Sequence, residues 1–482
     1  MLPQTGVTFS CDDAALQKLF DEAERKCLHN LKDFGADTVL VEGGGYEKIW
    51  LETQPMGGEM YWKRNMTAAM NNQLLFMRTQ RADGRIAGSI QCHPDGTIEP
   101  QFNKFQGFCF PLHALNMWYL SGKETAYLDM LADCLEKFDQ YLWKRAIPDG
   151  DGCLESFCVY DTGEDNALRY GHAPVYCTTD TPPEDADVVP MASMDVTSFS
   201  YACRDTLAEI SRLRGDGRES EWREKADAVA ANLKARLWDD KRHACFDRDK
   251  HGKTIDVLCH NTLRCMYWGS ISQEMADAFV RQHLLNPQEF WTPLPLPSVA
   301  VNDPPVRNGA GKQLGAGSAG GLTYQRAIIA LERYGYEPLV TKLGRKLLDA
   351  IIRGGYVFTQ QFDPFTGEPS RVGMVSHEVL SRDSDEPFQD SYGPTLLAAL
   401  EYIAHIWGIA LVGDEVWFSL GSGLSYTYAQ RFGDDVYEIK SDGRSGSIYK
   451  NRIAVGSAPC GVRLVTNRDG KILRTVKIEE GI

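Results

Sequence analysis

Between two helix-rich stretches of this 482-residue chain, Tyr160-Asp161-Thr162-Gly163-Glu164-Asp165-Asn166-Ala167-Leu168-Arg169-Tyr170 sets three carboxylates on a glycine-containing turn. Carboxylates that face one another repel when ionised, which raises the pKa of at least one of them, as a proton donor working at neutral pH requires. Such a turn can hold an acid beside a substrate, and a solvated acidic loop is the plain alternative. A second grouping runs from Ile49 to Arg64, where Trp50 and Trp62 stand among Glu52, Gln54 and Arg64 ahead of a helix. A third is Gln360-Gln361-Phe362-Asp363-Pro364-Phe365-Thr366-Gly367-Glu368, followed by Glu378, Glu386, Asp390 and Tyr392.

Composition narrows the partners. With 43% hydrophobic, 24% charged and 10% aromatic residues the chain has the profile of an ordinary globular protein. A net charge of −15 argues against nucleic acid, whose readers need clustered Lys and Arg to displace counterions. No apolar run reaches bilayer-spanning length, and Met1-Leu2-Pro3-Gln4-Thr5 opens without a basic or apolar leader, so no membrane partner and a cytoplasmic location are expected. The 13 cysteines are odd in number and lack a C-x-x-C pair, which suits reduced thiols better than a disulfide framework. The 10 histidines form no H-E-x-x-H, so neither a metal nor another cofactor is expected. Gly315 to Gly321 is not a phosphate loop, since no Lys-Ser/Thr follows it.

The elements that would position these groups are mostly helices. Leu16, Leu19, Phe20, Ala23 and Cys27 recur at three and four behind Asp12 or Asp13, either of which can cap an amphipathic helix. Similar stripes run over 66–77, 108–120, 127–142, 199–213, 226–237, 275–285, 322–331, 339–352 and 396–407, about eleven helices in all. Four long connections, 41–59, 148–190, 287–320 and 362–392, hold or border the chemical groupings above and are expected to build one pocket. Past residue 409 the pattern alternates, as in Val416-Trp417-Phe418 and Val462-Arg463-Leu464-Val465, and Asn467-Arg468-Asp469-Gly470 reads as a hairpin turn. A helical body over 1–408 and a small antiparallel β-unit over 409–482, packed on it, are expected.

Taken in order from about residue 40 to 410, these segments resemble the inverting glycoside hydrolases with an (α/α)6 toroid: trehalases, processing α-glucosidase I and the mannosylglycerate hydrolases. The resemblance implies an all-α (α/α)6 toroid with a C-terminal β-appendage, and Asp165 as the acid that protonates the glycosidic oxygen. Asp195-Val196-Thr197-Ser198-Phe199 and Leu237-Trp238-Asp239-Asp240 with Cys245-Phe246-Asp247 are similar to structural segments of that family, and Asp195 is most simply a helix N-cap. Inversion needs a second carboxylate across the sugar to activate water. The resemblance puts it at Gln360, whose amide can position a water but cannot take its proton. Glu368, Glu378, Glu386 and Asp390 are the substitutes the sequence offers.

For a carbohydrate substrate, Trp50 or Trp62 can stack on a sugar face while Glu52, Gln54 and Arg64 bond to hydroxyls; a tryptophan anchoring a helix start is the other reading. Asp161 either faces Asp165 or orients the loop. Trp291, Asp390 and Tyr392 sit where the related enzymes line their pocket, and Asp390 could equally cap the last helix. The expected function is hydrolysis of an α-glycosidic bond in a small saccharide or glycoside. A sugar-binding homologue without turnover and an (α/α)6 epimerase or lyase using His172 and Tyr160 are the alternatives.

Overall fold

The structure, a computed structural model, describes residues 2–145, 150, 152–182, 185–304, 306, 317–369 and 390–480. Twelve α-helices lie among them: α1 (Ala14–Cys27), α2 (Gln54–Tyr61), α3 (Met66–Arg78), α4 (Pro111–Leu120), α5 (Thr125–Arg145), α6 (Met194–Arg214), α7 (Glu219–Arg236), α8 (Asn261–Trp268), α9 (Gln273–Phe279), α10 (Gly321–Glu332), α11 (Glu337–Arg353) and α12 (Gly393–Trp407). Their starts follow local chemistry. Asp13 accepts from the amides of Ala15 and Leu16 at 2.9 and 3.1 Å, and Asn65, Ser193 and Ser272 cap α3, α6 and α9 in the same way.

The even-numbered helices form a closed cycle. α2 packs on α4, α4 on α6, α6 on α8, α8 on α10, α10 on α12 and α12 on α2. The odd-numbered helices lie against this cycle, α3 on α2, α5 on α6, α7 on α6 and α11 on α10 and α12. Outer helices are two-faced: in α11 Leu339, Val340, Leu343, Leu347, Leu348 and Ile351 are buried at helical spacing. Inner α2, α8 and α12 are buried at every residue. α2 and α8 span only 8 residues each, too few for a stripe to repeat, and escape a periodicity search, although every stripe read from the sequence falls on a helix. Helix packing is close where side chains are small: a Cβ at Gly344 would lie 2.5 Å from the Tyr402 ring, so α11 and α12 approach through that glycine.

The late strands form two antiparallel sheets. One pairs 409–412, 415–420, 462–467 and 472–477; the other pairs 426–432, 435–441, 445–450 and 453–459 and begins with Thr5–Cys11, whose partner is Tyr426–Phe432. The sheets face each other through Phe418 and Tyr437, whose ring centroids are 6.1 Å apart. Asn467 to Gly470 turns the hairpin as expected, with the Gly470 amide donating to the Asn467 carbonyl at 3.1 Å. The expected division at 408/409 left the first strand with the helices. Its alternation is short and sits beside a stronger helical stripe, so its partner four hundred residues away was not legible locally. No helix among the described residues is long and apolar enough to cross a membrane.

Phe9 joins the two parts. It is 6% exposed and packs on Phe20 of α1 at 5.2 Å and on Tyr428 of the sheet at 6.2 Å. Phe9→Ala should cost about 3–5 kcal/mol and lower the thermal midpoint. In the wild-type protein the helical signal followed by circular dichroism should melt together with the tertiary signal of the β-unit, and in Phe9→Ala the two should separate; transitions that still coincide in Phe9→Ala would show that this contact does not couple them.

Candidate active site

The acidic turn is held from below by a buried ionic cluster. Arg169 donates to Glu164 at 2.8 Å and Asp195 at 2.6 Å, and also to Asp247. Arg264 lies 3.0 Å from Asp195 and 3.4 Å from Glu164 and donates to the Thr162 carbonyl at 2.5 Å. Asn261 bonds to both Glu164 and Asp195, and His260 lies 3.1 Å from Glu164. Burial pushes the Glu164 carboxyl up, but Arg169 and Arg264 outweigh it and hold the group well below the usual carboxylate range. Ser193 caps α6, so Asp195 is not the N-cap expected but a member of this cluster.

Asp161 fastens the turn from the side. It is fully buried, and its carboxylate accepts from the amides of Phe105 and Phe157 at 3.0 and 2.8 Å. The Gln106 and Gly107 amides donate to the Tyr160 and Asp161 carbonyls, so the turn is stitched to the 101–107 segment. Asp161 therefore orients the loop and does not face the cavity, one of the two readings its position in sequence left open.

Asp165 projects from this platform into a cavity of about 220 Å3 lined by Glu42, Tyr46, Trp50, Glu52, Gln360 and Tyr392, with Lys48, Gln101, Lys104, Gln106, Tyr160 and Tyr176 around them. Gly163 is required here. Its φ is +76°, and a Cβ would fall 2.3 Å from the Glu52 carboxylate, so only glycine lets the turn close over Glu52. Glu52 accepts from Arg326 at 2.5 Å. Burial, with the nearby Glu52 charge, pushes the Asp165 carboxyl up to about 7, against which Tyr160 donates a hydrogen bond. Burial also pushes up the Glu42 and Glu52 carboxyls, Glu42 well above its usual range.

Gln360 lines the same cavity, 3.5 Å from the Tyr46 hydroxyl, and Tyr392 donates to Glu42 at 3.0 Å. Of the residues singled out from sequence, Asp165, Gln360, Trp50, Glu52 and Tyr392 thus meet in one place. Others do not. Gln54 is buried and accepts from the Trp50 amide at 2.7 Å, a helix-start contact. Arg64 grips Glu24 of α1 with bonds of 2.6 to 2.9 Å, and Trp62 packs edge-on against Phe432, both away from the cavity. Trp291 sits beside Lys346 of α11. Asp390 bonds to Lys26 at 2.5 Å and to the Phe358 and Ser391 amides, and it does not cap α12. Glu368 is exposed on the turn where its carbonyl accepts from the Asp363 amide. Glu378 and Glu386 lie outside the described residues. His172 is exposed.

Eight cavity residues were not singled out in the sequence reading: Glu42, Tyr46, Lys48, Gln101, Asn103, Lys104, Gln106 and Tyr176. The signal for the first two was Gly43-Gly44-Gly45 between them, whose φ values of +76°, +64° and +95° make a turn that aims both flanking side chains inward. The 101–107 segment, with no helical stripe, gave no signal. The expected third connection, 287–320, does not line the cavity among the described residues.

The raised Asp165 pKa has a consequence for stability. Unfolded, the group titrates near 4; folded, it holds its proton to about 7. The native state therefore binds the extra proton across that window, and stability falls as pH rises through it. Asp165→Asn should be more stable than wild type at pH 8 by about 1–3 kcal/mol, the gap closing as pH falls toward 4. Thermal melts of both proteins from pH 4 to 8 check this, and a gap independent of pH would contradict it.

Residues 58–383 match the family described as "Mannosylglycerate hydrolase MGH1-like glycoside hydrolase domain", more than half of the chain. No curated protein sequence matches. Among solved structures, the chain is similar to a GH63 mannosylglycerate hydrolase from Thermus thermophilus in complex with glucose, with 16% identity, a TM-score of 0.60, and coverage of 80% of this chain and 99% of that one. A sialidase aligns with 14% identity and a TM-score of 0.71 over 97% of this chain and 43% of its own, and the neutral trehalase Nth1 from Saccharomyces cerevisiae with 13% identity and a TM-score of 0.55 over 77% and 74%. At these identities the structures speak to the fold, which is that of the GH63 and trehalase type with an antiparallel β-region. The family match is what classifies the protein: the chain belongs to the mannosylglycerate hydrolase MGH1-like family of glycoside hydrolase domains.

Proposed function

We propose that this protein hydrolyses an α-glycosidic bond in a small saccharide or glycoside with inversion at the anomeric carbon. The observation that carries the reading is Asp165, half-buried in the cavity with its carboxyl pushed up to about 7, a group that still holds a proton near neutrality. A glycosidic oxygen leaves far more readily as an alcohol than as an alkoxide, so a donor of this acidity meets the main requirement of the bond-breaking step. Trp50, over whose ring Lys48 and Lys104 lie at 5.5 and 5.1 Å, lines the cavity with Glu52 and Gln106, an aromatic and polar set of the kind a pyranose packs on and bonds to. The cavity is small, which favours a short glycoside over a polymer; mannosylglycerate hydrolase and trehalase are both named for small substrates. The (α/α)6 toroid is part of the same proposal, and the closed cycle of six inner helices supports it.

One feature favours a second reading. Gln360 stands on the cavity wall where the family resemblance asks for a base, and a sugar-binding protein without turnover would tolerate an amide there.

The two are separated by incubating the protein with a panel of α-linked disaccharides and aryl α-glycosides. Hydrolysis should release reducing sugar, with the β-anomer first in proton NMR; affinity without release would favour the binder, and the α-anomer first would contradict inversion. With the substrate so found, kcat/KM should fall as pH rises through about 7, as the donor loses its proton. Asp165→Asn should lower kcat by roughly 10^2- to 10^4-fold with ligand affinity nearly intact. Unchanged activity would remove Asp165 from the mechanism.

A further inference from the structure

Inversion requires a carboxylate on the far side of the sugar from the acid, and the position expected to supply it holds Gln360. The cavity itself narrows the search. Among the described residues its lining holds three carboxylates: Asp165, Glu52 and Glu42. Glu52 is bound to Arg326 at 2.5 Å and covered by Gly163, which puts it beneath the acid turn and on the same wall. Glu42 stands elsewhere. Its backbone carbonyl accepts from the Gly393 amide at 2.6 Å and its carboxylate from the Tyr392 hydroxyl at 3.0 Å, both at the start of α12. The acid turn is tied to the start of α6 by Arg169, which donates to Asp195 at 2.6 Å. In the cycle α2, α4, α6, α8, α10, α12, helices α6 and α12 are three places apart, opposite each other whichever way the cycle is followed. Glu42 therefore sits across the cavity from Asp165, on the side where Gln360 and Tyr46 also lie.

We propose that Glu42 is the general base, taking over from the amide at 360 the task of deprotonating the attacking water. This rests on the hydrolase reading above. In the step, water lies between Glu42 and the anomeric carbon, held also by the Gln360 amide. The water O–H bond breaks and its proton goes to the Glu42 carboxylate while the water oxygen bonds to the anomeric carbon. The bond from that carbon to the leaving oxygen breaks, its electron pair staying on oxygen, which takes the Asp165 proton. Glu42 ends protonated and Asp165 ionised, and exchange with solvent resets both.

The surroundings suit the task. Unlike Glu52, Glu42 is hydrogen-bonded by a neutral hydroxyl and not by a guanidinium, so its basicity is not suppressed by a salt bridge. Burial raises its pKa first and the Glu52 charge adds to that, while the hydrogen bond from the Tyr392 hydroxyl favours the ionised form in which a base must start. The group is also fixed: the Gly43 and Tyr46 backbones bond to each other in both directions, and a Cβ at Gly43 would fall 2.2 Å from Asn30. A base held by its own backbone and by the α12 start needs little reordering to meet the water.

The test uses the full chain and the substrate found with the panel above. Glu42→Gln keeps an acceptor for Tyr392 and should lower kcat by roughly 10^2- to 10^4-fold with KM changed by no more than about threefold. Glu42→Ala opens space for a small nucleophile that needs no base, so sodium azide should accelerate it and yield a glycosyl azide of inverted configuration. If Glu42→Gln keeps its kcat within about tenfold of wild type, the assignment is overturned while the hydrolase reading stands. If kcat falls but azide neither accelerates Glu42→Ala nor appears in product, Glu42 is structural and the assignment is again overturned. A wild-type protein that cleaves nothing in the panel overturns both.

Discussion

The Arg169 guanidinium, shared among Glu164, Asp195 and Asp247, is the contact on which the site depends. It ties the acidic turn to the start of α6 and to the hairpin that follows α7, three segments far apart in sequence. Breaking a buried ion pair by removing one partner typically costs about 3–5 kcal/mol, because the remaining charge is left without compensation. Here one cation answers three anions and Arg264 answers two of the same three, so the turn is over-determined. Its two neighbouring acidic residues are thereby separated in role. Glu164 points down and is held ionised, while Asp165 points up into the cavity and is pushed toward neutrality.

The cavity gathers negative charge that the folded state would gain by dispersing. Glu42, Glu52 and Asp165 line one small space with Arg326 bound to a single one of them. Glycine makes the crowding possible at two points, Gly163 over Glu52 and Gly43 against Asn30. In both places the chain adopts a left-handed conformation that brings backbone and neighbouring side chain closer than any Cβ would allow. Raised carboxyl pKa values are the electrostatic result, and a proton donor and a proton acceptor set on opposite walls are the chemical use we propose for it. A different buried set pairs Lys63 with Glu401 and Arg463 with Glu332, where burial is outweighed and Glu332 is lowered to about 2. Lys63, Glu332 and Glu401 line a second cavity, of about 270 Å3.

Sequence revealed the helices long enough to repeat an apolar stripe and hid two short ones, α2 and α8. The stripes of α1 and α11 were plain, whereas α2 and α8, 8 residues each, are too short to repeat one. The same logic applies to the site. Asp165 was legible because three carboxylates crowd a glycine turn, and Gln360 because its segment has a recognisable order. Glu42 was not, since a single acid before three glycines looks like a linker until the turn is seen to close on Tyr392. Arg64 read as a sugar contact from its residue type and Trp291 from its place in the family resemblance; in the structure a carboxylate of α1 and a lysine of α11 engage them. Residue type says what a side chain can do, and only the path of the backbone says what it meets.

The central claim is that Asp165 gives its proton to the leaving oxygen. It is tested most directly by comparing, in Asp165→Ala, a 2,4-dinitrophenyl α-glycoside, whose leaving group departs without a proton, with the matching alkyl α-glycoside, which needs one. The account predicts that the substitution slows the alkyl substrate at least about 100-fold more than the dinitrophenyl substrate. Equal losses on the two would contradict it and leave Asp165 as a binding residue.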